Sequence, residues 1–151
     1  DLSGWRVLDA FAGSGALGFE ALSRGAATAV MIERERLQHQ ALLAAAAELG
    51  ADGARILLGD ADSLLAKAGD WRPVAGFDVV FLDPPYNKGL VQKTVQQLLE
   101  LGLLRTEALL YIESELDWEA LSLPVSIQQL KSTRAGSVNA FLARYRPEAA
   151  E

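Results

Sequence analysis

The sequence predicts an α/β fold in which helices cover both faces of a mostly parallel, seven-stranded sheet that ends in an antiparallel hairpin. Short segments rich in β-branched and aromatic residues alternate with helical segments along most of the chain, as in parallel sheets with helical crossovers. The last two strand-like segments follow each other without a helix, which favours an antiparallel pair. The 151 residues are enough for a single domain, over 1–151, with one core.

The boundaries of the elements follow from apolar periodicity and from the positions of glycine and proline. In the last predicted helix, Val91, Val95 and Leu98 fall on one face, and Gly102 ends the helix. The predicted helical segments are Ala16–Arg24, Glu35–Leu49, Ala61–Ala68 and Leu90–Leu101. The predicted strands are Arg6–Phe11, Thr28–Ile32, Arg55–Leu58, Phe77–Leu82, Leu109–Ser114, Val125–Ser132 and Ser137–Tyr145.

A glycine-rich turn joins the first predicted strand to the first helix. Gly13, Gly15 and Gly18 match the pattern G-x-G-x-x-G. Gly13 and Gly15 can adopt positive φ and let a ligand approach the backbone, while the free N–H groups at the helix start favour a negatively charged group. The pattern alone is weak, so a dinucleotide site and a tight turn without a ligand both stay open.

The second and third predicted strands each lead into an acid. Glu33 lies 20 positions after Gly13, where doubly wound sheets place a carboxylate that binds a ribose diol. The alternative is a solvated acid at the start of a charged helix. Asp60 either accepts a hydrogen bond from an adenine amino group, with the Ala61 N–H on the ring, or caps the following helical segment.

The tetrapeptide Asp83-Pro84-Pro85-Tyr86 follows the fourth predicted strand and is the most specific feature of the sequence. Each proline fixes φ and lacks a backbone donor, and Pro84 restricts Asp83 to an extended conformation. We therefore expect a rigid shelf that offers one carboxylate, carbonyl groups without local donors and one aromatic ring. This set fits a planar amine, because the ring stacks on a base while Asp83 and a proline carbonyl accept the amine protons. A proline-rich turn with a helix-capping aspartate is the alternative.

Four acids share one placement in the predicted fold. Each of them stands at the carboxyl end of a predicted strand. Because parallel strands present their carboxyl ends at the same edge of a sheet, we expect one crevice there for cofactor and substrate. The four acids are Asp9, Glu33, Asp60 and Asp83.

Together these elements resemble the Rossmann-like S-adenosylmethionine-dependent methyltransferases over nearly the whole chain. The D-P-P-Y tetrapeptide is similar to that of the amino-methyltransferases, which modify an exocyclic or amide nitrogen. Within that group, four stretches are similar to the bacterial 16S ribosomal RNA guanine-N2-methyltransferases. They are Leu8–Ala27, Phe81–Tyr86, Tyr111–Glu115 and Arg134–Gly136. That family carries a basic, partly helical segment before the first strand, and we expect this segment to be absent from a sequence that starts at Asp1.

The resemblance implies a cytoplasmic, monomeric enzyme that methylates the N2 amine of a guanine in 16S ribosomal RNA, either free or in the assembling small subunit. It implies S-adenosyl-L-methionine as the cofactor, held by Asp9, Phe11, Gly13, Gly15, Glu33, Asp60 and Ala61. It implies catalysis by Asp83, Pro84 and Tyr86, with Pro85, Lys131 and Arg134 on the substrate. No metal is needed, and a chain with one histidine and no cysteine has no thiolate site to offer.

The net charge of −6 argues against nucleic acid binding, since phosphate-binding surfaces are normally basic. The charge is uneven, however, because residues 131–146 contain four cations and no acid: Lys131, Arg134, Arg144 and Arg146. This run is either an exposed hairpin or a weak RNA-facing edge. The sequence contains no apolar run of membrane-spanning length.

Three rival functions stay open. DNA adenine-N6 methyltransferases use the same tetrapeptide, so the pattern does not separate them from guanine-N2 enzymes. An NAD-dependent dehydrogenase explains the glycines and Glu33 but leaves Asp83 to Tyr86 without a role. A non-catalytic module that binds adenosylmethionine is the third possibility.

Overall fold

The computed structural model describes residues 1–67, 69–85 and 89–150, with side chains as far as residue 148. Seven strands form one sheet in the order β3-β2-β1-β4-β5-β7-β6. Strands β1 to β5 pair in parallel, and β7 lies antiparallel between β5 and β6. The strands are β1 (Arg6–Asp9), β2 (Thr28–Glu33), β3 (Ala54–Leu58), β4 (Phe77–Leu82), β5 (Leu104–Ser114), β6 (Ile127–Ala135) and β7 (Val138–Tyr145). The predicted fold class is confirmed.

Helices lie between the parallel strands, as the alternation predicts. They are α1 (Ala16–Ser23), α2 (Arg36–Leu49), α3 (Ala61–Ala66), α4 (Leu90–Glu100) and α5 (Trp118–Leu121), followed by a 3₁₀ turn at Pro147–Ala150. The short helix α5 is absent from the prediction because four residues carry no helical periodicity. Its local signal is Asp117, whose carboxylate accepts a hydrogen bond from the Ala120 N–H at 2.9 Å.

Strands β1, β5 and β6 differ from the prediction by two residues or more at a boundary. Strand β6 runs over Ile127–Ala135 rather than Val125–Ser132, because its pairing with β7 continues to Ala135 and Val138. Strand β1 ends at Asp9 rather than Phe11, because the chain turns away to let the Ala12 N–H donate to the Ile32 carbonyl at 2.9 Å. Strand β5 begins at Leu104, earlier than predicted, with a register shift against β4 and a positive φ of 73° at Glu107. The polar residues before Ala108 hide this early section from an apolar pattern.

The two faces of the sheet carry separate parts of the core. One face buries the larger cluster, which includes Leu8, Val80 and Leu110 and packs on the apolar side of α4. The other face buries a smaller cluster around Val7 and Val79 beside α1. Alternate residues of the central strands point to opposite faces, so both sides of these strands are apolar, as expected for a parallel sheet covered on both sides.

A buried acid joins β1, β4 and β5 at the end of the sheet opposite to their carboxyl ends. Asp78 accepts hydrogen bonds from the Arg6 N–H at 2.8 Å and from Arg105 Nη1 at 2.7 Å. Asp78 itself is buried, whereas the Arg105 side chain is largely exposed. The contact therefore stabilises the sheet mainly through the backbone donor that it satisfies.

Replacing Asp78 by alanine is expected to destabilise the fold by about 1–3 kcal/mol, because the Arg6 N–H loses its acceptor inside the sheet. Urea denaturation measures the change, with Asp52→Ala at an exposed loop position as the matched control. An Asp78→Ala variant as stable as the Asp52→Ala control contradicts this account.

Candidate active site

A cavity of about 570 Å³ opens at the carboxyl ends of β1 to β4, where the sequence places its four acids. Its lining includes the turn after β1, the end of β2, the start of α3 and the segment after β4. Eight of the predicted site residues on these segments line it: Phe11, Gly13, Glu33, Asp60, Ala61, Asp83, Pro84 and Pro85. The structure thus brings together most of the predicted cofactor residues in one place.

Glu33 ties the glycine turn to the end of β2. Its Oε1 accepts the Gly13 N–H at 3.0 Å, and its Oε2 accepts the Glu35 N–H at 2.8 Å. The side chain is nearly buried, with 8% of the residue exposed. Since each carboxylate oxygen can accept more than one hydrogen bond, Glu33 can hold the turn and still accept donors from the cavity.

The first two glycines of the pattern have different roles. Gly13 has a φ of 54° and open space where a side chain would be, and it lines the cavity. Gly15 does not line the cavity. It has a φ of 82°, and a Cβ there would clash with Leu42 and Phe19. Gly13 thus leaves room for a ligand, whereas Gly15 serves the packing of the turn on α1 and α2.

Asp9 lies beneath the glycine turn and does not line the cavity. Only 2% of it is exposed, and its carboxylate accepts the Phe11 N–H. The pKa of Asp9 is raised from 3.8 to about 7, chiefly by burial; the Phe11 N–H opposes the rise, and the nearby charges of Asp83 and Glu33 add to it. Its predicted contact with a cofactor stays a prediction.

Asp60 and Ala61 stand where β3 passes into α3. The Asp60 side chain is exposed to the cavity and makes no capping hydrogen bond, although Asp60 holds the N-cap position of α3. Its carboxylate is therefore available to a ligand. Ala61 is buried as the first residue of the helix, so its backbone N–H belongs to the helix start that borders the cavity.

The proline shelf separates this cavity from a second one. Pro84 and Pro85 line the large cavity and also line a smaller cavity of about 260 Å³ beside the end of β5. Pro84 is buried and Pro85 is exposed. The smaller cavity is bordered by Glu113 and Ser114 of β5 and by Val91 of α4. Tyr86, the predicted stacking residue, lies outside the described residues.

Asp83 faces a second carboxylate that the sequence analysis misses. The pKa of Asp83 is raised from 3.8 to about 7, chiefly by burial and then by the hydrogen bond and charge of Glu113. The Tyr111 hydroxyl donates to Glu113 Oε1 at 3.1 Å. Burial and then the same carboxylate raise the pKa of the Tyr111 hydroxyl. Glu113 could have been found by the rule that found the other acids, because it also lies at the carboxyl end of a parallel strand.

The predicted RNA-facing cations lie on β6, at the outer edge of the sheet, and both are exposed. Arg134 pairs with Asn139, which pairs with Ser114, so Arg134 lies at the same end of the sheet as the cavities. Lys131 is three residues away on the same strand, so its side chain points to the opposite face. The two cations therefore do not form one patch.

The other two cations of the run are less available. The Arg146 Nε lies 3.1 Å from Glu107 Oε2 in an ion pair. The Arg144 Nε is buried without a hydrogen-bond partner among the described residues. Only half of the cationic run is thus free to meet a phosphate.

Two further features of the described residues bear on function. None of the helices there is long and apolar enough to cross a membrane. Within the same ranges, no group of three or more His, Cys, Asp or Glu side chains is arranged to hold a metal ion.

The strand order and the acidic edge define the class of the protein, which has the fold of the Rossmann-like methyltransferases. A solved structure of an Escherichia coli protein, yhhF, described as a methyltransferase, matches it with a TM-score of 0.86 and 39% sequence identity. That match covers 96% of this chain and 77% of the other. The chain belongs to the family described as Conserved hypothetical protein 95, whose family model matches residues 1–144.

Two relatives with assigned names are similar to this chain. Ribosomal RNA small subunit methyltransferase D of Escherichia coli K12 is 42% identical over 133 residues, which are 88% of this chain and 65% of that protein. The protein of the same name from Haemophilus influenzae is 36% identical over 133 residues, which are 87% of this chain and 67% of that protein. The chain thus spans about two thirds of the length of these relatives.

Asp9→Asn is expected to stabilise the protein more at pH 8 than at pH 4. Between its unfolded pKa of 3.8 and its folded pKa of about 7, Asp9 keeps a proton in the folded state that it loses on unfolding. Stability from this group is therefore lost as the pH rises through that window, by up to about 4 kcal/mol at roughly 1.4 kcal/mol per pKa unit. Asparagine avoids this loss and can still accept the Phe11 N–H.

Urea denaturation of both proteins across this pH range measures the difference, with Asp52→Asn as the exposed control. If Asp9→Asn gains no stability over the unmodified protein at pH 8, the buried carboxyl does not carry the proposed cost.

Proposed function

We propose that this chain binds S-adenosylmethionine in the larger cavity and transfers its methyl group to the N2 amine of a guanine in small-subunit ribosomal RNA. The observation that carries the proposal is the shelf formed by Pro84 and Pro85, which borders both cavities and follows directly on Asp83 in the lining of the larger one. The name of the Escherichia coli relative supports the RNA substrate. Such a substrate suits a cytoplasmic enzyme.

The larger cavity offers the groups that an adenosylmethionine molecule requires. Glu33 can accept the ribose hydroxyls with the lone pairs that the backbone leaves unused. Asp60, which makes no cap, can accept the adenine amino group, with Phe11 on the lining nearby. The open space over Gly13 lets the ligand approach the backbone. The surrounding carboxylates also favour a cationic sulfonium over a neutral group.

The smaller cavity is the proposed site of the target base. The two cavities share the shelf, so a base in the smaller cavity lies across the shelf from the cofactor and can present its edge to Asp83. Bases reach such sites only after leaving their stacked neighbours. Tyr86 is proposed to stack on the base, and Arg134, at the same end of the sheet, to contact the RNA backbone; Lys131 is a weaker candidate.

The chemistry follows from the weakness of an aryl amine as a nucleophile. The cofactor, when bound, supplies an activated methyl group together with its own thioether leaving group. Asp83 and the Pro84 carbonyl each accept a hydrogen bond from the amine. These two hydrogen bonds localise the nitrogen lone pair and orient it in line with the methyl. A methylated amine would carry one proton too many and a positive charge, and Asp83 would accept the proton that this nitrogen releases. Positioning and hydrogen bonding thus supply most of the rate.

Glu33→Ala is expected to weaken the binding of S-adenosylhomocysteine about 10- to 100-fold, because a charged acceptor for the ribose is lost and the glycine turn loses its tie to β2. Isothermal titration calorimetry measures the affinity, and Glu20→Ala on the exposed face of α1 is the matched control. Tighter binding of NAD than of S-adenosylhomocysteine would show that the cavity belongs to another class of enzyme.

Turnover is expected to rise with pH and to level off above about pH 7, because Asp83 must be ionised to accept protons and its pKa lies near 7. In the protein expressed from its whole gene, Asp83→Ala should lose on the order of 10²–10⁴ in turnover. Asp83→Asn should remove the acid limb of the profile, while the affinity for S-adenosylhomocysteine changes little in both variants.

Nucleoside analysis after reaction with ribosomal RNA, small subunits or DNA identifies the product. The proposal requires N2-methylguanine from small-subunit RNA, whereas N6-methyladenine from DNA assigns the shelf to the rival chemistry. Wild-type turnover by Asp83→Ala would exclude the role given to Asp83.

A further inference from the structure

Glu113 is an acid at this edge of the sheet to which the proposed methyl transfer gives no role. Leu82 of β4 pairs with Ile112 of β5, so the next residues along the two parallel strands, Asp83 and Glu113, are neighbours. The two carboxyl groups hydrogen-bond to each other. Glu113 is half-buried and lines the smaller cavity, on the side of the shelf where the target base is proposed to sit.

This pair of carboxyl groups has more acceptors than donors. The Tyr111 hydroxyl, at 3.1 Å, is one donor to Glu113, and the remaining contact of the pair is the one between the two carboxyl groups themselves. Asp9 on β1 also interacts electrostatically with Asp83. Lys93 of α4 borders the larger cavity but is ion-paired with Asp62 at 3.1 Å. Among the described residues, the pair is thus poised to accept donors from a ligand.

Guanine and adenine differ at the position next to the target amine. In guanine the N2 amine stands beside the ring N1–H, so two adjacent positions are donors. In adenine the N6 amine stands beside an unprotonated N1, which is an acceptor. An ionised carboxylate is an acceptor only, so it pairs with the first edge and repels the second. Enzymes that take a base out of its stack read it by such contacts on this edge.

We propose that Glu113 selects guanine over adenine by accepting the ring N1–H while Asp83 holds the neighbouring N2 amine. This inference rests on the proposed function and adds the residue that sets its specificity. The Tyr111 hydroxyl is a positioning group, because its hydrogen bond fixes the direction of the Glu113 carboxylate. When guanine is bound, each of the two carboxylates accepts one donor of the base.

The test compares RNA substrates that carry guanine or 2-aminopurine at the target nucleotide, once nucleoside analysis has located it. 2-Aminopurine keeps the amine at C2, but its N1 carries no hydrogen. The unmodified protein should methylate the 2-aminopurine substrate with a kcat/KM about 10- to 100-fold lower, since one charge-assisted hydrogen bond becomes a repulsion. Displacement of the fluorescent 2-aminopurine RNA by the guanine RNA should show the same preference in binding, without turnover.

Glu113→Gln supplies the matched change, because an amide can donate to an unprotonated N1. This variant should lose most of the preference for guanine over 2-aminopurine, whereas Glu20→Gln should keep it. Tyr111→Phe should lose part of it. Affinity for S-adenosylhomocysteine should be unchanged in all three, which shows that each variant is folded.

Equal use of both bases by the unmodified protein would overturn the role of Glu113, even if Glu113→Gln fails to fold. Full discrimination by a folded Glu113→Gln would do the same. Failure of the proposed function is distinguishable, because it appears earlier, as the absence of N2-methylguanine from the natural RNA. N2-methylguanine without discrimination refutes only the inference about Glu113.

Discussion

The parallel pairing of β1 to β5 is the constraint on which the site depends. It places the carboxyl ends of these strands at one edge, so that acids separated by up to 104 residues in sequence, from Asp9 to Glu113, gather there. The Glu33 carboxylate then fixes the glycine turn above that edge through the Gly13 and Glu35 N–H groups. The proline shelf adds a rigid border between two cavities. Each part is local in sequence, and the sheet alone makes them neighbours.

Bringing carboxyl groups together at one edge disfavours their charged forms, and the effect is seen in the pKa values of two of them. The pKa values of Asp9 and Asp83 rise to about 7 chiefly because both groups are buried, and the neighbouring acids add to the rise. Neighbouring buried carboxyl groups destabilise a fold, so stability alone does not explain this arrangement. A cationic ligand and a base with paired donors both relieve this repulsion. Under the proposed function, the acids that line the cavities therefore form one arrangement for binding.

Much of the fold and part of the site could be predicted from the sequence. The strand–helix alternation gave the seven-stranded sheet, and the strand ends gave Glu33, Asp60 and Asp83 as cavity residues. The separate packing role of Gly15 could not be predicted, because its neighbour Leu42 comes from another helix. The opposite directions of Lys131 and Arg134 require the register of β6, which a charge count does not contain. Glu113 was passed over because its importance comes from its neighbour Asp83 on another strand.

The acidic edge also bears on how an RNA would have to approach. Phosphates are repelled by a cleft lined with Glu33, Asp60 and Asp83, so a strand cannot lie along its floor. A single base carries no charge and can enter alone, with its backbone held outside near the cationic end of β6. Such an approach requires the nucleotide to turn out of its stack, which costs least where it is already unpaired. If the proposed function holds, the carboxylates that bind the cofactor and the amine also exclude paired RNA. The restricted access to the shelf then selects an unpaired nucleotide.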